Sequence, residues 1–202
     1  MFYNSYFFIQ MIAVLVSLTI HEFSHAFIAY KLGDETAKNE GRLSLNPIKH
    51  LDTVGTILFL LIGVGYGKAV PVNPINFKDP KKGQILVSLA GPLSNIILAF
   101  IVQNLITISG YNNVFLTILV EINILLAAFN LIPIPPLDGS SILNQIFKPQ
   151  TYYKYRKFFE DNMGYLILFI YLDTTILGKY GYSIFINLIQ IITMLIKAII
   201  FI

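Results

Sequence analysis

"TIHEFSHAF", residues 19–27, sits in a run that otherwise reads as lipid-facing. Residues 1–20 hold no charged side chain, and then His21, Glu22 and His25 arrive together. A charge-bearing group at membrane depth costs at least ~2.5 kcal/mol unless it is partnered. On a helix, positions 21 and 25 lie one above the other on one face. Two neutral imidazoles at that spacing can bind one divalent ion. Glu22 lies about 100° round the helix from His21, where it can reach a water beside such an ion without ligating it. This is the spacing at which a metal lowers the pKa of water and a glutamate takes the proton. The ordinary alternative is a set of polar residues that only pair with neighbouring helices. The cost of burying Glu22 weighs against it.

Composition agrees with a membrane setting. Of the 202 residues, 55% are hydrophobic and 12% charged, whereas a soluble domain is about 25% charged. With no cysteine, disulfides and thiolate metal sites are excluded, so any metal must sit on His, Asp or Glu. The net charge of +3 matters less than where the charges lie. The length leaves little expectation of a second globular domain. The first apolar run lacks a basic start and contains the motif, so it does not read as a cleaved signal peptide.

A spanning helix needs about 20 apolar residues. Segments 5–30, 84–108, 114–132, 162–178 and 182–202 qualify, the fourth only marginally. Thr53–Val64 is too short to cross comfortably and ends among Gly63, Gly65 and Gly67, which predicts a re-entrant element covered by protein. "GRLSLNP" (residues 41–47) alternates and ends in a proline turn, and residues 67–77 are extended around Pro71 and Pro74; both predict short strands or hairpins. The expected fold is an all-α polytopic membrane protein. It has about five to six transmembrane helices, a short re-entrant segment and small membrane-associated β-hairpin elements. Residues 1–202 form one integral-membrane unit, with a core over about 5–141 and accessory helices over about 162–202.

Basic residues orient the chain. Lys31, Lys38, Arg42 and Lys49 follow the first helix; Lys68, Lys78, Lys81 and Lys82 precede the next; Lys148, Lys154, Arg156 and Lys157 follow "PPLDG". The loop Ser109–Asn113 carries no charge. These loops are then cytoplasmic and the N-terminus outside, provided that Thr53–Val64 dips in and returns or that a second short crossing restores the parity; its short length favours the dip.

A catalytic metal wants a third protein ligand and one open position. Glu121 and Asp173 lie in apolar segments, His50 and Asp52 in the polar connector, and Asp138 in "FNLIPIPPLDGS", residues 129–140. The first helix carries His21 and His25 toward its cytoplasmic end, and helix 114–132 runs the opposite way, so topology lets Asp138 meet them. Pro133, Pro135 and Pro136 hold the backbone extended past the helix end, and Gly139 permits a tight turn. Glu121 falls near the opposite face.

These motifs resemble the site-2 protease family of intramembrane zinc metalloproteases. "HEFSH" is similar to its zinc helix, "FNLIPIPPLDG" to its second signature, "AGPLSN" (residues 90–95) to its Gly-x-x-x-Asn motif and "GRLSLNPIKHLDTVGT" (residues 41–56) to its connector. The matches run in order over about residues 20–141. The resemblance implies one zinc per chain on His21, His25 and Asp138, Glu22 as general base, and a catalytic role for Asn130 at the substrate carbonyl or oxyanion. Asn95 is expected to pack or fix a loop. No PDZ or CBS domain has room here, and residues 142–202 match no motif.

The implied activity is hydrolysis of peptide bonds in or near transmembrane segments of other membrane proteins. The implied partners are a transmembrane protein substrate and membrane lipid, with no nucleic acid and an oligomeric state left open. The implied location is a prokaryotic plasma membrane, multi-pass, with the active site near the cytoplasmic face. The strand-like segments 41–47 and 67–74 would offer an edge for an unwound substrate. The competing reading is a metal-ion transporter or channel using the same His and Asp groups, with Glu121 and Asp173 continuing its path. No repeated halves of the kind transporters carry are visible.

Overall fold

The computed structural model describes residues 6–62 and 65–201. Nine α-helices are described: α1 (Phe7–Lys31), α2 (Thr36–Asn39), α3 (Thr53–Ile62), α4 (Pro80–Ser109), α5 (Val114–Asn130), α6 (Ser140–Ile146), α7 (Pro149–Asp161), α8 (Met163–Thr175) and α9 (Ile184–Ile200). The helix ends follow local chemistry. Asp79 caps α4, accepting from the Lys82 N–H at 3.1 Å, and Pro80 supplies the fixed φ of the first turn. Gly110, at φ 64°, ends α4 in the left-handed conformation that glycine takes without strain. Asn113 then caps α5 on the Leu116 N–H at 2.9 Å.

Helices α1, α4 and α5 pack on one another, and α9 lies against α5. The apolar core joins Ala13, Ala99, Val102, Leu119, Ile124, Ala127, Ile196 and Ile200. Alanines at 13, 99, 127 and 128 let backbones approach closely, as small residues do between membrane helices. The outside is strongly apolar: Phe8, Ile12, Leu93, Ile97, Phe100, Ile101 and Leu105 are all exposed. The inside holds Ser17, His21, Glu22, His25, Asn95 and Asn123, all buried. Apolar outside and polar inside is the arrangement of a protein whose solvent is lipid.

The expected apolar segments are all helical, but their spanning capacity differs from expectation. Only α1, with 25 residues, and α4, with 30, are individually long and apolar enough to cross. Helix α5 has 17 residues, at the lower limit. Helix α8, with 13, reaches about 20 Å at 1.5 Å per residue. It passes the test only together with α9, and the two are bent by 80°. Among the described residues, length and composition alone give two spans, or three if the bent pair is one, so the expected count of five to six is met only in part. The reason lies at the break: the 3₁₀ turn Leu177–Tyr180 and Gly181, at φ 77°, turn the chain sharply.

No strand forms among the described residues. The segment expected as a hairpin runs instead into a 3₁₀ turn, Pro47–His50, because the Asn46 side chain accepts from the Ile48 N–H at 3.0 Å. One antiparallel bridge remains, Leu51 with Gly67, beside a Lys68 N–H to His50 carbonyl bond of 2.9 Å. Pro71 and Pro74 lack the N–H groups that a longer ladder needs. The bridge brings together the two ends of the segment that contains α3. With 10 residues, α3 is too short to cross, and its Phe59 stacks on Phe7 near the N-terminal end of α1, ring centroids 6.2 Å apart. Gly63 and Val64 of the expected re-entrant run lie outside the described residues.

The connector after α1 is held by Asp34, which is fully buried. One carboxylate oxygen accepts from the Asn73 N–H at 2.7 Å, and the other from the Asn76 amide at 2.7 Å and from Thr36. Burial pushes this carboxyl up, but the hydrogen bonds outweigh it and hold it below its ordinary 3.8. A carboxyl depressed in the folded state contributes stability above its unfolded pKa, lost as pH falls through the folded value. Asp34→Asn should therefore destabilise the protein in detergent at pH 7 by about 1–3 kcal/mol. Thermal unfolding measured against pH should show the gap between the two proteins closing below about pH 4.

Candidate metal centre

One turn of α1 delivers His21, Glu22 and His25, which are buried to 4%, 7% and 7% exposure. The His21 and His25 Nε2 atoms face each other at 3.0 Å. Asp138 Oδ2 completes the group, 3.2 Å from His21 Nε2 and 3.3 Å from His25 Nε2. His25 Nδ1 lies 2.6 Å from the Val87 carbonyl, which can only accept, so Nδ1 carries the hydrogen and Nε2 keeps a lone pair. His21 Nδ1 lies 2.7 Å from Asn95 Oδ1. Asp138 Oδ2 is buried and has no hydrogen-bond donor.

Converging electron pairs without a donor need positive charge between them, and one proton satisfies only one pair. A divalent ion satisfies all three. Ligands about 2.0 Å from a tetrahedral ion stand about 3.3 Å apart, close to the separations seen. Gly91 of α4 closes one side: a Cβ there would overlap the Nε2 atoms of both histidines. The donor set of two imidazoles and one carboxylate, with a cavity beside it, matches a catalytic zinc site that keeps one position open.

Asp138 reaches this point because α5 stops at Asn130. The Gly139 N–H donates back to the Asn130 carbonyl at 2.7 Å, and a Cβ at 139 would overlap the Leu131 and Ile132 carbonyls. From the other side, Tyr155 of α7 donates its hydroxyl to the Pro133 carbonyl.

Glu22 and Asn130 line the same cavity as the three-residue group, with Val70, Val72, Gln84 and Ser88. Ser88 is exposed to it at a weak point of α4, since Pro92 has no N–H for the Ser88 carbonyl. Glu22 Oε2 accepts from the Val70 N–H at 2.9 Å. Asn130 spends one amide N–H on the Leu126 carbonyl at 3.0 Å, one turn back. The segment around Val70 is held upstream by Arg42, whose guanidinium donates to the Lys68 carbonyl, and downstream by Asp34.

The other candidates for a third ligand go elsewhere. Glu121 pairs with Lys197 of α9 at 2.8 Å. Asp173 accepts from Ser183 Oγ at 2.6 Å and from the Ile184 and Phe185 N–H groups at 3.0 Å, capping α9. His50 donates from Nε2 to the Ser44 carbonyl at 2.7 Å. Asp52 accepts from the Gly55 N–H at 2.9 Å. Asn95, expected to pack or fix a loop, is the partner of His21. The sequence reading missed Asn123, whose amide joins Asn95 at 2.7 Å. An isolated asparagine in an apolar helix was the available signal.

A family model described as "Peptidase family M50" matches residues 9–114 and 106–172. The chain belongs to that family. "Putative zinc metalloprotease YwhC" of Bacillus subtilis is 43% identical over 182 residues, covering 84% of this chain and 82% of its own. "Putative zinc metalloprotease Rip2" of Mycolicibacterium smegmatis is 29% identical over 179 residues, 84% of this chain and 68% of its own. "Putative zinc metalloprotease MJ0611" of Methanocaldococcus jannaschii is 34% identical over 144 residues, 68% and 70% of the two chains. No solved structure matches the chain. As an M50 peptidase the protein is a metalloprotease, a hydrolase that uses zinc, and the His21–His25–Asp138 group can hold the metal. Gly91→Ala should abolish zinc binding, because its methyl group takes the space of the two Nε2 atoms. Metal analysis of purified protein should give near-stoichiometric zinc in the wild type and almost none in Gly91→Ala.

Proposed function

We propose that the protein is a zinc-dependent intramembrane endopeptidase that cleaves peptide bonds in or near transmembrane segments of membrane-protein substrates. The observation that carries this reading is the position of the metal group. It lies on the buried polar face of helices whose outer faces are apolar. His21, His25 and Asp138 are the ligands, one zinc per chain, and residues 1–202 act as a single membrane-embedded unit surrounded by lipid.

A zinc ion held by His21, His25 and Asp138 would supply Lewis-acid polarisation of the scissile carbonyl and a lowered pKa for water. Glu22 takes the proton of the attacking water and returns it to the leaving amine. The Val70 N–H holds one Glu22 oxygen, which leaves the other to work. Asn130 offers its second amide N–H to the substrate carbonyl as charge develops. A substrate helix must unwind before its peptide bond reaches the group, and the extended residues 69–72 beside the cavity give the unwound segment a backbone to run along.

The basic loops support an outside N-terminus and a catalytic centre near the cytoplasmic face of a prokaryotic plasma membrane. With that orientation α3 dips in and returns, consistent with the Leu51–Gly67 bridge joining the two ends of its segment. The transporter reading needs Glu121 and Asp173 on the metal's path, and both are committed to other partners.

Glu22→Gln should keep its zinc and lose at least about 100-fold in cleavage. The assay is a detergent-solubilised membrane-protein substrate followed on a gel, with the cut mapped by mass spectrometry. Cleavage by Glu22→Gln at the wild-type rate, or cuts confined to soluble loops distant from any apolar segment, would sink the reading.

A further inference from the structure

We infer that Asn123, on α5, is a positioning residue for the metal centre: acting through Asn95, it decides which nitrogen of His21 carries the hydrogen. This rests on the reading of His21 as a ligand. The Leu119 carbonyl lies 2.8 Å from Asn123 Nδ2, so the nitrogen of that amide must be on this side. Its second hydrogen goes to Ser17 Oγ at 2.8 Å, and the Ser17 hydroxyl passes its own hydrogen to the Ala13 carbonyl at 2.7 Å.

Asn123 Oδ1 is thereby turned toward α4, where it accepts from Asn95 Nδ2 at 2.7 Å. The remaining hydrogen of Asn95 Nδ2 goes to the Ser17 carbonyl at 3.1 Å. Asn95 Oδ1 is left facing His21 Nδ1 at 2.7 Å, and it can only accept. The hydrogen of His21 must then sit on Nδ1, which leaves the Nε2 lone pair directed at His25 and Asp138. Ser17, Asn95 and Asn123 are each 0% exposed, so neither water nor lipid competes for these bonds. Flipping the Asn95 amide would press its oxygen against two acceptors, Asn123 Oδ1 and the Ser17 carbonyl, while offering His21 a donor and so favouring the non-ligating tautomer. Without Asn123, only one of those two penalties remains.

The test compares wild type with Asn123→Leu and with the milder Ser17→Ala. Zinc affinity is measured by chelator competition. The exchangeable ring N–H signals of the cobalt(II)-substituted proteins are recorded by proton NMR. The wild type should show two protected ring N–H signals, one from each histidine. Asn123→Leu should bind zinc about tenfold more weakly, with the His21 signal lost or rapidly exchanging and the His25 signal, anchored by the Val87 carbonyl, unchanged. Ser17→Ala should show a smaller loss of the same kind. Wild-type affinity with both signals intact in Asn123→Leu overturns the inference. So does loss of both signals together in both variants, which marks a structural role. A wild type that takes up neither metal overturns the metal reading itself, an outcome separate from either.

Discussion

The structure turns on one constraint: two imidazoles and a carboxylate, buried on an apolar helix, must find partners inside the protein. None of the three can be left unpaired there without a cost of several kcal/mol. The partners of the two imidazoles come from α4 and that of Glu22 from the Val70 N–H of the connector. Helix α4 supplies the Val87 carbonyl and Asn95 for the two Nδ1 atoms, and α5 supplies Asn123 behind Asn95. These bonds require close helix approach, which the small residues Gly91, Ala13, Ala99 and Ala127 provide. The same packing excludes lipid from the group and leaves the Nε2 atoms with Asp138 as an acceptor-only set.

Much of this was legible because the decisive relations are local. An i, i+4 histidine pair declares its geometry as soon as the helix is granted. The placement of Asp138 needed one further step, the alternation of helix direction, and charge asymmetry between loops supplied it. The positions of the apolar helices followed from composition. Their capacity to span did not, since apolar length says nothing about a bend. A four-residue 3₁₀ turn and Gly181 bend the chain by 80° between α8 and α9, where two separate crossings were expected. The strands failed for a related reason. Alternation with prolines describes an extended backbone, but a ladder also needs N–H donors and a partner edge.

Other residues were opaque because their partners are distant in sequence. Glu121 meets Lys197, 76 positions away, and nothing near either residue announces the pair. Asp173 serves the start of the following helix rather than its own. The motif around Asn95 points to packing, whereas its Oδ1 faces the ring of His21. In each case the polar side chain itself was the visible anomaly in an apolar run. The sequence gives the question, and only the packing gives the answer.

The two halves of the chemistry are supported by different parts of the chain. Both histidines are oriented from α4 and α5, inside the helical core. Glu22 is oriented from the opposite side, by the N–H of Val70 in the connector segment. That segment keeps its place through Arg42 on the Lys68 carbonyl and Asp34 on the Asn73 N–H. Ala69, Val70, Val72 and Pro74 line the cavity from this side. On the proposed roles, metal retention and proton transfer are therefore separable properties. A change in the connector can move the base while leaving the metal ligands in place, and a change in the core can release the metal while the connector holds its shape. With Glu22 in the proposed role of general base, the polar connector belongs to the proposed catalytic apparatus through the Val70 N–H.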